Sequence, residues 1–305
     1  MMHAIIRSES QQYFFDNSFQ MFVLDRKVQR LSSHTLRFYS TQVRPFLIWC
    51  AETHSIGALG AIKPLHVRAY LLSLHERELS SNSVHAAARG IRAFFNFCVR
   101  EELLTVSPMA KVTMPKVDRP ILPSFEPGDI EQILKSCSGA RERAIVLVLL
   151  DTGCRAAELL HMNGSDIDVP QGIVHIRKGK GGKDRIAYLG NRSRKMMLRY
   201  YLERGQPGET DPVWVHAKRG TRLTDSGLRQ LFERIGNASG VKHCHPHTFR
   251  RTFALWSLRN GMSIYHLQRL MGHSDLTVLR QYLALVESDL KAAHVRYGAV
   301  DNMMG

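Results

Sequence analysis

The sequence predicts a mainly α-helical protein of two domains, the second of which contains one small antiparallel sheet. Apolar residues recur at helical spacing through most of the chain, and a proline-rich stretch between Pro108 and Pro127 separates two such regions. Two short apolar segments, 172–177 and 185–189, flank a glycine-rich turn and predict a β-hairpin. A chain of 305 residues can bury one large core or two ordinary ones.

The N-terminal region is predicted to be helical from Ser33 onward, after a loose tail formed by residues 1–16. Ser32 or Ser33 is the expected N-cap of its first helix. Apolar residues follow at i, i+3, i+7, i+10, i+11 and i+14, namely Leu36, Tyr39, Val43, Phe46, Leu47 and Cys50. Pro45 stands inside this pattern, where a proline costs ~3 kcal/mol. We therefore expect a kink or a pair of broken helices there.

A basic stripe runs along another predicted N-terminal helix, which begins near Ser83 and ends near Glu101. Its members Arg89, Arg92 and Arg100 lie opposite the apolar residues of the same helix. Arg37 and Arg44 occupy the polar side of the helix that begins near Ser33. Such a stripe is often an ordinary solvated face. In a strongly basic chain, two helices with arginines on their outer faces indicate a surface that binds phosphates.

The second region begins after the proline-rich stretch and is predicted to hold most of the remaining helices. The segment 143–150 is nearly all apolar, so its periodicity does not distinguish a buried strand from a buried helix. Further helices are expected, with approximate bounds 192–203, 224–238, 247–260 and 263–271.

Charge and composition restrict the class of protein. The formal net charge is +15 and the sequence pI about 9.9, which is typical of proteins that bind nucleic acid or an anionic surface. No apolar run approaches the ~18 residues of a membrane span, and residues 1–20 lack the apolar core of a signal peptide. Five scattered cysteines are an odd number and indicate a reduced compartment. The sequence therefore predicts a cytoplasmic protein without membrane partners.

The last third of the chain concentrates residues that suit phosphodiester chemistry. His247 and Arg250 stand three residues apart, so both can reach one anion from the same helix face. His273 follows the helix-ending Gly272, and Tyr282 stands nine residues further on. Nearby cations would stabilise both a tyrosine phenolate and a phosphoryl transition state. This combination predicts cleavage of a phosphodiester without water, metal or cofactor.

Each of these residues has an ordinary interpretation when taken singly. Arg155 and Glu158 could form a purely structural pair, and a tyrosine is most often a half-buried aromatic. Lysines in a glycine-rich turn are usually solvated, and the turn lacks the GxxxxGK[ST] pattern of a nucleotide-binding loop. The histidines between His243 and His247 raise the possibility of zinc, but no second pair of ligands stands at a metal-site spacing.

Taken together and in order, the motifs resemble those of the tyrosine site-specific recombinases, the phage integrase family, and most of all its Xer-like members. The matching segments are Cys154-Arg155-Ala156-Ala157-Glu158, Gly179-Lys180-Gly181, His247-Thr248-Phe249-Arg250, Leu270-Met271-Gly272-His273-Ser274 and Tyr282. The resemblance implies a helical, SAM-like core-binding domain over 17–112 and a linker over 113–124. A mixed α/β catalytic domain with a C-terminal assembly helix would occupy 125–305.

The resemblance also implies a role for each residue. Tyr282 would attack the scissile phosphate, form a 3′-phosphotyrosyl link and release a 5′-hydroxyl. Arg155 and Arg250 would bind the non-bridging oxygens, and Lys180 would protonate the departing 5′-oxygen. His247 would assist proton transfer at the tyrosine. His273 would form a hydrogen bond to the phosphate.

Two features depart from the family pattern or leave a choice open. The family often has a leucine and a histidine on either side of the second arginine, where Phe249 and Arg251 stand in this chain. Phe249 is expected to be a core residue, and Arg251 adds a further phosphate contact. The assignment of Lys180 rests on the Gly-Lys-Gly match, with Lys178 and Lys183 as neighbouring candidates and predicted DNA contacts.

We therefore expect a site-specific recombinase that binds duplex DNA between its domains and assembles as a homotetramer on two paired sites. An apolar stripe at Val286, Leu290, Ala293 and Tyr297 predicts the helix that links protomers. A DNA-relaxing topoisomerase of similar chemistry, a catalytically silent DNA-binding accessory protein and a zinc-dependent nuclease are the alternatives. The sequence alone does not distinguish chromosome dimer resolution, phage integration and movement of a mobile element.

Overall fold

The chain divides into two compact units, Met1–Ile121 and Leu122–Gly305, at a point inside the predicted linker. The computed structural model describes residues 2–118, 123–177, 184–217 and 219–272, and the single residues 294, 295, 298, 300 and 303. Side chains are described from residue 15 onward. The architecture is mainly helical with one small antiparallel sheet, which confirms the predicted fold class.

The described part of the first unit, residues 2–118, consists of four α-helices around an aromatic core. They are α1 (Met2–Val28), α2 (Ser33–His54), α3 (Pro64–Glu76) and α4 (Ser81–Arg100). Phe22, Phe46, Phe94 and Phe95 are fully buried, and Phe22 meets Phe94 edge to face with ring centroids 5.6 Å apart. Ser32 and Ser80 cap α2 and α4 by accepting hydrogen bonds from backbone N–H groups of the first turn.

Helix α1 differs from the loose tail expected over residues 1–16, because it is helical from Met2 onward. The apolar pattern that anchors it lies at the end of that stretch and beyond it. Phe15, Phe19 and Phe22 fall at i, i+4 and i+7, and all three are buried in the core of the first unit. Because this stripe begins only at the end of the predicted tail, residues 1–16 alone gave no sign of the helix.

Helix α2 runs from Ser33 to His54 as one element, so the broken pair expected at Pro45 is wrong. Proline removes one backbone hydrogen bond from a helix interior, which costs ~3 kcal/mol. Val43, Phe46 and Leu47 surround the proline and are almost completely buried. Each buried side chain of this size contributes about 1.5–3 kcal/mol, so burial offsets the lost hydrogen bond.

The second unit contains seven α-helices in its described part. They are α5 (Pro127–Lys135), α6 (Ala140–Thr152), α7 (Ala156–His161), α8 (Asn191–Arg204), α9 (Asp225–Ser239), α10 (Pro246–Arg259) and α11 (Ile264–Met271). The apolar segment that periodicity left ambiguous is helix α6, which packs against α8 and α10. Apart from a few half-buried positions it is buried all round, which explains why no polar stripe marks it in the sequence.

The sheet of the second unit has three antiparallel strands in the order β1–β2–β3. Strands β2 (Ile173–Ile176) and β3 (Arg185–Tyr188) match the predicted hairpin, and β1 (Ile167–Asp168) is an additional short strand. The register pairs Ile176 with Arg185 and Val174 with Ala187. Arg185 and Ala187 therefore share the inner face of β3, since alternate residues of a strand face the same way.

A glycine ends α6 and begins the segment that carries the predicted motif residues. Gly153 adopts φ +55°, and its N–H bonds to the carbonyl of Leu149. A Cβ at this position would lie 2.3 Å from the ring of Phe253. Both the left-handed backbone and the close approach of the aromatic ring require a residue without a side chain.

None of the helices in the described ranges has the length and apolar character that crossing a bilayer requires.

Candidate active site

Arg155 is held at the N-terminus of helix α7 by a carboxylate one turn further on. The backbone N–H of Arg155 donates to Glu158 Oε2 at 2.8 Å, which caps the helix. Its guanidinium nitrogen Nη1 donates to Glu158 Oε1 at 2.6 Å. The Arg155 side chain keeps 25% of its surface exposed, whereas that of Glu158 keeps 5%. The predicted pair therefore exists, and it leaves the arginine partly accessible.

Arg185 is a second partner of the same carboxylate, and sequence reasoning missed it. Its nitrogens Nη1 and Nη2 lie 3.0 and 2.6 Å from the two oxygens of Glu158. Its Nε donates to the carbonyl of Leu270 at 2.8 Å. The Arg185 side chain is only 8% exposed. The strand pattern could have revealed this contact. Arg185 and Ala187 stand two residues apart on β3 and therefore face the same way, and an arginine on the buried face of a strand requires a buried acceptor.

Glu158 is ionised because these donors outweigh the effect of burial. Burial acts to raise the pKa of the carboxyl group, but hydrogen bonds from Arg185 and from the backbone of Arg155 lower it to about 2. A carboxylate that accepts several charge-assisted hydrogen bonds is strongly favoured over the protonated acid. Glu158 therefore stays charged at any pH near neutrality.

Arg250 lies on helix α10, 7% exposed, and is anchored by carbonyl groups from two other segments. Its Nη1 donates to the carbonyl of Gly153, at the end of α6, and its Nη2 donates to the carbonyl of Met271 at 2.9 Å. Burial and the neighbouring charge of Arg155 lower its pKa to about 10. Arg250 still carries its proton at neutral pH, so two guanidinium groups are held close together despite their repulsion.

His247 occupies the first turn of α10, one turn before Arg250 and Arg251. Partial loss of solvent around the ring, followed by the charges of Arg251, Arg250 and Arg155, lowers the pKa of His247. Its imidazole is therefore neutral at pH 7 and able to accept a proton. The same combination of burial and nearby cations lowers the pKa of His245, the N-cap residue of α10.

The structure thus brings together Arg155, His247 and Arg250 of the predicted catalytic set, with Arg251 half-buried beside them. The other predicted residues of this region lie outside the described ranges, namely Lys178, Lys180, Lys183, His273 and Tyr282. Phe249 is fully buried and packs between Phe125 and Phe232, as expected for a core position.

Within the described ranges, no group of three or more histidine, cysteine or acidic side chains is placed to hold a metal ion. Cys244, which stands among the histidines that raised the possibility of zinc, is partly buried. Burial raises the pKa of its thiol to about 12.

The predicted DNA-binding arginines of the first unit lie on α2 and α4 and differ in what they contact. Arg37 and Arg89 are exposed, and the guanidinium of Arg89 lies 5.9 Å from the ring centroid of Phe38. Arg44 pairs with Asp16 at 3.4 Å, and Arg100 pairs with Asp25 at 2.6 Å. Arg92, which is half-buried, donates to the carbonyl of Val112.

Two models of known protein families match this chain. The model of the phage integrase family matches residues 123–288, and that of the phage integrase N-terminal SAM-like domain matches residues 19–104. The chain belongs to the phage integrase family.

Named relatives place the chain more closely within the family. It is 27% identical over 278 residues to tyrosine recombinase XerC of Oceanobacillus iheyensis, covering 87% of this chain and 90% of the relative. It is 29% identical over 282 residues to tyrosine recombinase XerA of Thermococcus kodakarensis, covering 90% and 93%. The protein is therefore an enzyme of the tyrosine recombinase class, similar to the Xer recombinases.

A solved structure shows that the fold is shared as well. XerH site-specific recombinase, in a post-cleavage complex with its palindromic difH substrate, superposes with a TM-score of 0.69. The identity is 20%, and the match covers 88% of this chain and 82% of that one.

We predict that replacing Arg251 with alanine raises the pKa of His247 toward its ordinary value of about 6.5. Removing a neighbouring positive charge lowers the free energy of the protonated imidazole and so raises its pKa. Burial still lowers the pKa, so the rise should be partial. The measurement is an NMR titration of the histidine ring signals in the protein without DNA.

Arg259→Ala is the matched control, because Arg259 lies at the other end of α10 and pairs with Glu126. In this variant the pKa of His247 should equal that of the wild-type protein. An unchanged or lowered His247 pKa in Arg251→Ala would show that Arg251 does not set the protonation state of this histidine.

Proposed function

We propose that this protein is a site-specific DNA recombinase that cleaves and rejoins DNA strands through a 3′-phosphotyrosyl intermediate, without metal or ATP. The observation that carries the proposal is the convergence of Arg155, at the start of α7, with His247 and Arg250 of α10, the arginines being fixed by other groups of the protein. Glu158 is a single carboxylate beside three arginines, so the site keeps a net positive charge that favours the binding of an anion. A phosphodiester, with two non-bridging oxygens and one negative charge, fits this requirement.

The arginines would bind the scissile phosphate and stabilise its transition state. A guanidinium group presents parallel N–H donors that match two phosphate oxygens, which a lysine cannot do. Arg155 and Arg250 would bind the non-bridging oxygens in this way. Because their anchors are in place before DNA arrives, little reorganisation would accompany the reaction.

Proton transfers would accompany attack and departure. The hydroxyl of Tyr282 would attack phosphorus as its proton leaves, and His247 would assist because its neutral ring can accept that proton. The bond between phosphorus and the 5′-oxygen breaks, and Lys180 would give this oxygen a proton. His273 would donate a hydrogen bond to the phosphate. The phosphotyrosine preserves the energy of the original bond, so rejoining to another 5′-hydroxyl needs no ATP.

Duplex DNA carrying a specific recombination site is the proposed partner, and the protein would act in the cytoplasm. The residues that would contact phosphates are Arg37 and Arg44 of α2, Arg89, Arg92 and Arg100 of α4, and Lys178, Lys183 and Arg251. The formal charge of +15 supports an interaction dominated by the DNA backbone. The relatives and the XerH complex support the same partner, since they are named as recombinases and one is bound to its DNA substrate.

The first prediction of this function concerns the nucleophile. We predict that the wild-type protein forms a covalent adduct with a nicked duplex in excess chelator and without ATP. The duplex carries the site recovered by selection from a random pool, and its nick lets the short 5′-hydroxyl fragment diffuse away. Tyr282→Phe should abolish the adduct but leave binding nearly unchanged, because only one hydroxyl group is lost. Denaturing gel electrophoresis and peptide mapping measure both the adduct and its position.

An adduct on another residue, or cleavage that stops with chelator, would contradict this mechanism. Tyr265→Phe is the control, because Tyr265 is an exposed tyrosine of α11 outside the predicted set. It should form the adduct at the wild-type rate.

A further prediction concerns the salt dependence of binding. Arg89→Ala should lower the slope of log K against log salt by about 0.9, the change expected for one lost phosphate contact on duplex DNA. Arg100→Ala should lower it less, because this arginine must give up its pair with Asp25 before it binds a phosphate. Fluorescence anisotropy over a range of salt concentrations measures the slope.

Arg199→Ala removes an arginine of α8 that pairs with Glu203 and is not in the predicted set. Its slope should equal that of the wild-type protein. If Arg89→Ala also keeps the wild-type slope, the stripe on α4 is an ordinary solvated face.

The proposed assembly is a homotetramer on two paired sites, linked by the segment 286–297, which lies almost wholly outside the described residues. Removing residues 286–305 should spare binding to one site and abolish paired-site complexes and strand exchange. An apolar stripe on so short a helix needs a groove to cover it, and a neighbouring protomer would supply one. Analytical ultracentrifugation with one or two sites measures the assembly. Full-length Tyr282→Phe should still assemble, and a truncated protein that recombines normally would overturn the proposal.

A further inference from the structure

Glu158 is shared by two arginines that use its oxygens differently. Arg185 places Nη1 and Nη2 against the two oxygens, at 3.0 and 2.6 Å. The side chain of Arg155 reaches only Oε1, through Nη1 at 2.6 Å. A fork of two N–H donors is the strongest arrangement between a guanidinium and a carboxylate. Glu158 therefore forms its fuller ion pair with Arg185.

The two arginines also differ in how much of each guanidinium remains for a ligand. The Arg185 side chain is 8% exposed, and its Nε donates to the carbonyl of Leu270 at 2.8 Å, so all three of its nitrogens are engaged. The Arg155 side chain is 25% exposed. Among the residues that the structure describes, its Nε and Nη2 have no hydrogen-bond partner. Arg155 can therefore bind an anion, whereas Arg185 would first have to give up its own contacts.

The charges of the three groups show what Arg185 adds to the site. Arg155 and Glu158 alone sum to zero, and a carboxylate this close would repel a phosphate that approached the arginine. With Arg185 the sum is +1, because one carboxylate then stands between two guanidinium groups. Glu158 can thus cap α7 and orient Arg155 without cancelling the charge that Arg155 presents to a ligand.

The groups that hold Arg185 keep its charge intact. The carbonyl of Leu270 accepts from Arg185, and the next carbonyl, that of Met271, accepts from Nη2 of Arg250 at 2.9 Å. Consecutive carbonyls at the C-terminal end of α11 therefore anchor two of the arginines. Such carbonyls carry only partial negative charge, so they fix a guanidinium without neutralising it.

We infer that Arg185 is a positioning residue that offsets the charge of Glu158 and so leaves the charge of Arg155 available to the scissile phosphate. The inference rests on the proposed function, in which Arg155 and Arg250 bind the non-bridging oxygens. Arg185 itself would touch neither the DNA nor the reacting atoms. The plain alternative is that Arg185 only stabilises the fold as the partner of a buried carboxylate. The two roles differ in how binding responds to the charge of the phosphate.

The test measures how strongly each variant senses the charge of the scissile phosphate. Two duplexes carry the selected site, one with the natural phosphodiester and one with a neutral methylphosphonate at the position where the covalent adduct forms. Every protein carries Tyr282→Phe, so that binding is not followed by cleavage. The dissociation constant on the neutral duplex divided by that on the natural duplex is the charge ratio. This ratio does not depend on the fraction of folded protein, because one preparation binds both duplexes.

Arg185→Gln should lower the charge ratio by about tenfold, because one positive charge near the anion is lost. Arg185→Lys keeps the charge but not the fork of donors. Its charge ratio should lie between that of Arg185→Gln and that of the parent protein.

A second substitution tests the balance of charges directly. Arg185→Gln combined with Glu158→Gln removes one charge of each sign and returns the sum over the three groups to +1. The amide oxygen of glutamine can still accept from the backbone N–H of Arg155, so the cap of α7 is kept. The double variant should regain most of the parent charge ratio, although the buried ion pair is gone. A role in stability alone predicts no such recovery.

Arg177→Gln is the matched control, because Arg177 follows the last residue of β2 and also pairs with a buried carboxylate, that of Asp166. Its side chain is 60% exposed, so solvent screens its charge. Its charge ratio should stay within about twofold of the parent value. An unchanged ratio in Arg185→Gln, or a lowered ratio that the double variant does not restore, would overturn the inference.

Failure of the proposed function gives a different pattern. Arg155→Ala should lower the charge ratio more than Arg185→Gln, because it removes the contact with the phosphate itself. If the parent protein binds both duplexes equally, the arginines do not hold the scissile phosphate, and the proposed function fails together with the inference. If Arg155→Ala lowers the ratio and Arg185→Gln does not, the inference alone fails.

Discussion

The carboxylate of Glu158 is the point on which the geometry of the site depends. It caps helix α7 by accepting from the N–H of Arg155, orients the guanidinium of Arg155, and accepts a fork of hydrogen bonds from Arg185. A buried ion pair has to compensate a large desolvation penalty, which it does only when geometry and hydrogen bonding are both satisfied. Glu158 meets this condition through four contacts, so one acidic side chain organises a site that contains three arginines.

The cations of the pocket are held by the protein's own carbonyl groups as much as by charge. Arg250 bonds to carbonyls at the ends of α6 and α11, and Arg185 to a carbonyl of α11. Helix C-termini carry partial negative charge, so such carbonyls stabilise a guanidinium without neutralising it. These carbonyls therefore leave the charge of Arg250 available to an incoming anion. A second acidic residue in their place would have made the pocket more stable and less able to bind phosphate.

Much of this arrangement could be predicted from the sequence, and what could not has identifiable causes. The ordered resemblance to the phage integrase family singled out Arg155, His247 and Arg250 as candidates, and these three residues lie together in the structure. Arg185 was missed because its partner Glu158 stands 27 residues away in the chain, a distance that local patterns do not span. Hydrophobic periodicity did not distinguish a helix from a strand at α6, since a helix buried on nearly all sides has no polar stripe. The helix over residues 2–28 was missed because its anchoring phenylalanines begin only at its middle.

The glycine at the end of α6 has a consequence for how such motifs are recognised. Gly153 leads directly into the segment of Arg155, and its carbonyl receives Arg250, while the ring of Phe253 fills the space where a side chain would be. A residue with no functional group thus fixes the spacing between two functional ones. A distant relative could keep both arginines and the glutamate and still lose the pocket if this position had acquired a methyl group. The absence of a side chain at this position is therefore as necessary to the geometry of the site as the charged residues beside it.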